Sequence, residues 1–76
     1  MKLFLGGSLA FHTPTKQPNL VVPLNKIISL TQVISNLGIP IAEVQLTVLN
    51  GELVNLEDSF VSDFDVVRLY PPVGGG

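Results

Sequence analysis

The stretch SLTQVISNLG, residues 29–38, decides the fold of this chain. Its apolar residues follow the i, i+3, i+4, i+7 spacing that places side chains on one face of a helix. They are Leu30, Val33, Ile34 and Leu37. The spacing predicts a helix over residues 30–37 that buries this face.

Both ends of the predicted helix carry their own signals. Ser29 and Gln32 have the spacing of a capping box, in which the hydroxyl accepts from the Gln32 amide and the Gln32 side chain reaches back. Gly38 stands where a left-handed residue ends a helix, and Pro40 prevents its continuation. The capping signal, the apolar face and the terminating glycine therefore predict the same helix.

Strands are predicted on both sides of the helix. The alternation over 44–49 predicts that Val44, Leu46 and Val48 point inward and that Gln45 and Thr47 point outward. Asn50-Gly51 then predicts a type I′ hairpin turn, which needs positive φ at both positions, and 52–54 begins the return strand. Further strands are predicted at 3–5, 20–22 and 66–70 from their β-branched, aromatic and leucine content. Residues 6–19 form a long loop in which 9–11 extends a hairpin.

The resulting element order is β-β-α-β-β-β. An apolar helix face has to be covered, and a sheet packed on one side of the helix covers it. We therefore predict an α+β, β-grasp (ubiquitin-like) fold with a mixed sheet of four to five strands, one main helix on one face, and the two terminal strands central and adjacent.

Composition limits the chain to one small domain. It has 76 residues, 46% of them hydrophobic, a net charge of −2 and no cysteine. Without cysteine there is no disulfide or thiolate site, and a cytoplasmic location fits. Four basic residues do not make the basic footprint of a nucleic-acid binder. Gly6-Gly7-Ser8 interrupts the N-terminal apolar run too early for a signal peptide, and no stretch is apolar enough to cross a membrane.

Acidic residues concentrate between 52 and 65. Five of the six lie there: Glu52, Glu57, Asp58, Asp63 and Asp65. One interpretation is a solvated loop face. The other is a patch that, together with Arg68, steers the domain towards a basic partner.

The residues that catalysis requires are missing. His12 is the only histidine and has no evident partner for a metal site or a general base. Gly6-Gly7-Ser8 lacks the rest of a phosphate-binding loop and is more typical of a strand end or turn. Asp63 and Asp65 fit turn hydrogen bonding better than an acid–base pair. We expect that the chain is not an enzyme and binds no metal or cofactor.

The C-terminal sequence YPPVGGG, residues 70–76, is the main functional signal. Pro71-Pro72 favours an extended exit from the last strand. The three glycines that follow present backbone without side chains, which suits entry into a narrow tunnel of another protein. We predict a domain over 1–70 and a flexible tail over 71–76. An inert chain end is the alternative.

These features together resemble the MoaD/ThiS family of sulfur carriers. The resemblance rests on LGIP at 37–40, the strand and NG turn over 44–51, DFDVV at 63–67 and the tail. Phe64 replaces the glycine that is usual in the family's Asp-Gly-Asp turn, so Phe64 packs or faces a partner. The stretch 38–54 also resembles the ubiquitin-like segment fused to some RNase-type proteins, which requires no carrier tail.

The resemblance implies a protein cosubstrate. An adenylyltransferase similar to ubiquitin-activating enzymes would use ATP and Mg to adenylate the Gly76 carboxylate, and a sulfurtransferase would convert it to a thiocarboxylate. The partner-binding residues implied are Gly74, Gly75, Val73, Pro72, Pro71, Phe64 and Arg68. The proline pair favours molybdenum or tungsten (molybdopterin) cofactor synthesis with a large synthase subunit as partner. The alternatives are thiazole synthesis with thiazole synthase, tRNA thiolation, and a non-carrier interaction domain or modifier.

Overall fold

The computed structural model describes residues 1–72, and Val73–Gly76 lie outside the described part. The strands of the main sheet are β1 (Lys2–Leu5), β2 (Asn19–Val21), β4 (Leu46–Leu49), β5 (Glu52–Val54) and β7 (Val66–Tyr70). A ribbon is formed by β3 (Ile28–Ser29) and β6 (Phe60–Val61), and the one α-helix within residues 1–72 is α1 (Leu30–Asn36). The main sheet has the order β2-β1-β7-β4-β5, and the ribbon pairs β3 with β6.

The first and last strands are central neighbours. β1 pairs with β7 in parallel, with Lys2 opposite Val66 and Leu5 opposite Leu69. β4 pairs with the other side of β7 in antiparallel, and the hairpin strands β2 and β5 form the edges. This mixed sheet with one helix confirms the predicted β-grasp fold.

The helix forms where its sequence predicts. The Ser29 hydroxyl accepts a hydrogen bond from the Gln32 N–H at 3.3 Å, and Gly38 has φ +83°. One detail is wrong: the Gln32 side chain does not reach back to Ser29 but donates to the Asn36 Oδ1 at 2.9 Å. The capping box is therefore only half made.

The core lies between α1 and one face of the sheet. The helix residues Leu30, Val33 and Ile34 are buried there, and Leu37 is only partly buried at its edge. The sheet side of this core consists of Leu3, Leu5, Val67 and Leu69. Burial of these side chains is the main source of stability, at roughly 1.5–3 kcal/mol for a fully buried aliphatic side chain.

The predicted inward face of β4 is wrong. Thr47 is buried at 3% exposure and lies opposite Leu69, whereas Leu46 is exposed and lies opposite Tyr70. Because successive side chains alternate, Thr47 and Leu49 face the core, and Leu46 and Val48 face away. The Asn50-Gly51 turn is as predicted, with φ values of +51° and +87°.

The loop after β1 also differs from the prediction. Residues 9–11 do not extend a hairpin; Gly7–His12 forms a 3-10 helix that buries Leu9 and Ala10. Shorter 3-10 helices cover Ile41–Glu43 and Leu56–Asp58. No helix within residues 1–72 has the length and apolar character needed to cross a membrane.

Candidate functional site

The sheet has one face that the helix does not cover, and we call it the open face. Its members follow from the strand register and the alternation of side chains. They are Val21 on β2, Lys2 and Phe4 on β1, Val66, Arg68 and Tyr70 on β7, Leu46 and Val48 on β4, and Leu53 on β5. Apolar residues therefore predominate on a surface that faces solvent.

The exposure of these side chains is large at both edges of the sheet. Val21 is 77% exposed and Leu53 is 68% exposed, and Leu46 and Val66 are also exposed. An apolar surface that spans all five strands is typical of a face that binds another macromolecule. We therefore take the open face as the candidate docking surface.

Arg68 lies near the middle of the open face. Its guanidinium carbon is 5.4 Å from the centre of the Phe4 ring, and the Phe4 and Tyr70 rings are 5.9 Å apart. The cation–π contact holds the long side chain against the sheet. The predicted partner-binding residue Arg68 is therefore placed where it can present a positive charge within an apolar surface.

A depression of about 250 Å³ lies on the β2 side of this arginine. Lys2 and Arg68 contribute charge to its lining, and Phe4, Val21 and Val66 contribute apolar surface. Two cations beside aromatic and aliphatic carbon suit a partner segment that combines an apolar side chain with a carboxylate.

The root of the tail is fixed at the end of β7. The Gln45 N–H donates to the Tyr70 carbonyl at 2.8 Å, so the strand is hydrogen-bonded up to its last residue. Pro71 is half-buried and Pro72 is exposed. The predicted site residues Val73, Gly74, Gly75 and Gly76 lie outside the described residues.

Phe64 lies at the tip of the turn before β7 and is 92% exposed. Both flanking carboxylates are hydrogen-bonded within the chain. Asp63 accepts from the Leu24 N–H at 2.9 Å, and Asp65 accepts from the Asn50 side chain at 2.9 Å and from the Ser62 N–H at 2.7 Å. The turn therefore keeps its shape and holds the aromatic ring in solvent.

These hydrogen bonds also lower the pKa values of the two carboxyl groups in the turn. The Leu24 N–H, followed by the Met1 amino group, holds the pKa of Asp63 below its ordinary value. The Asn50 amide, followed by the Ser62 N–H, lowers the pKa of Asp65. Hydrogen bonds to the charged form favour that form. The two aspartates stabilise the turn, as the sequence favoured.

The partner-binding residues predicted on β7 are spread along the strand. Phe64 precedes it, Arg68 is in its middle and Pro71 follows it, so the structure does not bring Phe64 and Pro71 together. The five residues of β7 span roughly 17 Å. A partner that contacts all three has to cover the length of this strand.

His12 has a partner that the sequence did not reveal. Its Nε2 lies 2.6 Å from the Glu43 Oε2, which corrects the expectation of no nearby carboxylate. The pair joins the 3-10 helix Gly7–His12 to the 3-10 helix Ile41–Glu43. It is partly exposed and distant in sequence, so no local motif could have indicated it.

The alternation of apolar and polar residues does not reveal the open face. It predicts Leu46 and Val48 in the core, and it gives no signal for Val21 and Leu53. One signal is present in the last strand, because apolar residues occur on both faces of 66–70, where Val66 and Val67 are adjacent. A strand with two apolar faces has to cover two surfaces.

Comparison with known proteins agrees with this architecture. The family model described as Mut7-C ubiquitin matches residues 8–74. The solution structure of a thiamine biosynthesis protein from Geobacter metallireducens superposes with a TM-score of 0.55 and 26% identity, covering 100% of this chain and 88% of that chain. A search of curated proteins finds no significant match.

The matched region includes the helix, all the strands from β2 onward and the root of the tail. The fold, the family match and the structural neighbour point to the same class of small protein. The chain belongs to the Mut7-C ubiquitin family and is a ubiquitin-like β-grasp protein similar to the MoaD/ThiS carriers.

Proposed function

We propose that this protein is a sulfur carrier whose reactive group is the C-terminal carboxylate of Gly76. The observation that carries the proposal is that the proline pair and the glycine sequence follow directly on the central strand. β7 is paired on both sides, Tyr70 is anchored, and the proline pair leads into the glycine tail. Likeness to a thiamine biosynthesis protein supports the same class of function.

The chemistry occurs in the active sites of partner enzymes. In an adenylyltransferase of the ubiquitin-activating type, a carboxylate oxygen of Gly76 attacks the α-phosphorus of Mg-bound ATP, and pyrophosphate leaves. Sulfide then attacks the acyl carbon, AMP leaves, and a thiocarboxylate remains. When a sulfurtransferase persulfide is the nucleophile, an acyl disulfide forms first and a thiol reduces it to the thiocarboxylate. The carrier contributes a terminus that fits such a site without side chains.

The open face supplies the docking surface in this proposal. Its apolar area binds the adenylyltransferase, and Lys2 and Arg68 pair with acidic groups on that partner. Phe64 at one end of β7 and Pro71, Pro72 and Val73 at the other extend the contact. Gly74 and Gly75 provide clearance for the backbone inside the active site.

Molybdopterin synthesis is our first choice for the sulfur acceptor, because of the proline pair before the glycines. Thiazole synthesis is the second, and the thiamine biosynthesis neighbour favours it. The two are distinguished by supplying the thiocarboxylated carrier to a molybdopterin synthase large subunit with its precursor, or to a thiazole synthase with its substrates. Product from one enzyme and not from the other identifies the acceptor.

A ubiquitin-like interaction domain is the competing function, and the breadth of the apolar open face favours it. Such a domain binds its partner through the sheet and does not use the tail. In that case removal of the tail leaves binding intact, and the terminal carboxylate undergoes no reaction.

Intact-mass analysis separates the two functions. The chain is incubated with an adenylyltransferase of the ubiquitin-activating type from the same organism, ATP, Mg and sulfide. A mass gain of one sulfur-for-oxygen exchange at the C-terminus is expected for the carrier, and ligation to a lysine indicates a modifier. Deletion of Gly75-Gly76 is the matched control and abolishes the exchange, as does Gly75→Val, whose β-branched side chain obstructs the backbone path. Full exchange in the deletion variant would refute the carrier function.

A further inference from the structure

Gly6-Gly7, the short loop where β1 ends and the 3-10 helix Gly7–His12 begins, contacts the root of the tail. The Gly6 N–H donates to the Leu69 carbonyl at 2.8 Å, which continues the pairing of β1 and β7 one residue beyond Leu5. A Cβ on Gly6 would lie 2.9 Å from the Tyr70 Cδ1 and 3.2 Å from the Leu69 carbonyl oxygen. The ring of Tyr70 therefore lies directly against backbone.

Gly7 makes the same kind of close contact with Pro71, the first residue of the tail. A Cβ on Gly7 would lie 2.8 Å from the Pro71 Cγ and 3.5 Å from its Cδ. Carbon atoms do not approach to 2.8 Å without displacement, so the proline ring occupies the space that a side chain would need. Gly7 also has φ +51°, a conformation that glycine adopts at little cost.

Gly51 shows that positive φ and close contact are separate properties. It has φ +87°, and nothing lies within 4 Å of its would-be Cβ. A turn alone explains glycine at position 51. At position 7 the backbone conformation and the presence of Pro71 both require glycine, so the loop is fitted to the tail.

Tyr70 is also contacted by residues outside Gly6-Gly7. The Gln45 N–H holds the Tyr70 carbonyl at 2.8 Å, and the Phe4 ring lies 5.9 Å from the Tyr70 ring. Tyr70 is thus held from β1, from the loop and from the segment before β4. These contacts fix the direction of the chain as far as Pro71, which is half-buried. Pro72 is exposed and is the first residue after β7 that the rest of the domain does not cover.

We propose that Gly6-Gly7 is a cradle that sets the direction in which the tail leaves the body. The inference rests on the proposed carrier function and assigns positioning residues to it. When the open face is docked, a fixed root confines the terminal carboxylate to a smaller volume around the partner's active site. That raises its effective concentration there without adding a contact to the partner.

The cradle and the docking surface therefore affect different kinetic constants. Loss of a docking residue such as Arg68 weakens binding and raises KM. Loss of the cradle leaves the open-face contacts of Lys2 and Arg68 intact and changes only the position of Pro71 at the rim of the docked surface. Its main effect is a lower rate within the docked complex, which appears as a lower kcat. If Gly6-Gly7 were only a structural turn, its loss would lower stability and would not change kcat separately from KM.

The test compares Gly7→Ala with Gly51→Ala in the full chain. Both changes place a Cβ on a residue with positive φ, and only the first meets Pro71. NMR reports the tail root through nuclear Overhauser contacts between Gly7 and Pro71 and through the Pro71 carbon shifts. ATP–pyrophosphate exchange with the adenylyltransferase reports kcat and KM.

We expect Gly7→Ala to shift the Pro71 signals and to lower kcat about tenfold or more, with KM within about twofold of wild type, whereas Gly51→Ala leaves the Pro71 signals, kcat and KM unchanged. Pro71→Ala removes the atoms that clash, so adding Gly7→Ala to it causes no further loss of kcat. That non-additivity locates the effect at the contact.

Two results would overturn the cradle. One is unchanged Pro71 signals and wild-type kcat in Gly7→Ala, and the other is an equal loss of kcat in Gly7→Ala and Gly51→Ala. A wild-type chain that supports no pyrophosphate exchange refutes the carrier function instead. In that case the NMR comparison still decides whether Gly7 sets the position of Pro71.

Discussion

Asn50 makes a connection that its role as a turn residue does not require. Its side-chain Oδ1 accepts from the Val66 N–H at 2.8 Å, and its Nδ2 donates to the Asp65 Oδ1 at 2.9 Å. These bonds join the β4–β5 turn to the start of β7. Asn50→Gly removes both and keeps a residue that tolerates the φ of +51°.

The expected loss is about 2 kcal/mol. A net protein hydrogen bond contributes about 1 kcal/mol, and both bonds are at the surface. The acceptor of the second bond is the Asp65 carboxylate, whose pKa is lowered by the Asn50 amide that donates to it. For a domain of this size that loss corresponds to a fall in Tm of about 8–16 °C. In urea, with a slope of roughly 1–2 kcal/mol per M, the midpoint falls by about 1–2 M.

Urea unfolding followed by far-UV circular dichroism measures the change. Asn25→Gly is the matched control, because the Asn25 side chain makes no hydrogen bond to any other residue in the part of the chain that the structure describes. It should change the free energy of unfolding by less than about 0.5 kcal/mol. The backbone bond from the Asn50 N–H to the Val66 carbonyl, at 2.8 Å, is kept in Asn50→Gly. If Asn50→Gly stays within that same margin, the two side-chain bonds contribute nothing and the reasoning fails.

The other predictions concern the core, the face of β4 and acid stability. Ile34→Ala should cost about 2–5 kcal/mol in chemical unfolding, whereas Leu37→Ala, at a half-buried position, should cost about 1–2 kcal/mol; equal losses would contradict the burial difference. Thr47→Val should raise the free energy of unfolding by about 1 kcal/mol, because a side chain that is only 3% exposed exchanges a polar hydroxyl for a methyl group, and a loss instead would mean that the hydroxyl is needed. The pKa values of Asp63 and Asp65 are lowered in the folded state, so their ionised forms stabilise the fold above the unfolded-state pKa of about 3.9, and this contribution is lost as the pH falls through the folded-state values. Asp65→Asn should therefore flatten the decline of Tm between about pH 4 and pH 2. An unchanged decline would show that Asp65 does not contribute to acid stability.

The helix and the order of elements were predictable because their signals are local. Ser29, the four apolar positions and Gly38 all lie within ten residues, and the positive φ of Gly38 follows from its place after the last turn. The Asn50-Gly51 turn is equally local. The pairing of the first and last strands has no local signal, because the two lie at opposite ends of the sequence. It is predicted only through the β-grasp fold that the order of elements favours.

The face of β4 was not predictable from alternation alone. Alternation shows that two faces differ, but not which of them is the core. Leu46 and Val48 are apolar because the open face is apolar, and Thr47 is polar although it is buried against Leu69. An exposed sheet face made of leucine and valine therefore resembles a core in sequence.

The remaining differences come from contacts between distant segments. The ribbon strands β3 and β6 are two residues each, too short for any periodicity. The pair His12–Glu43 and the contact of Gly7 with Pro71 join residues far apart in sequence. The catalytic expectation for Gly76 and the roles of Val73, Gly74 and Gly75 stay predictions, because these residues lie outside the described part of the chain.

The central place of β7 has a mechanical consequence. A pull on the tail acts along this strand, which is hydrogen-bonded to β1 on one side and to β4 on the other. The load is then shared by the bonds of two ladders, whereas a pull along the edge strand β5 acts on one ladder only. A protease or motor that pulled on the tail would therefore have to break both ladders to extract the first strand that it reached.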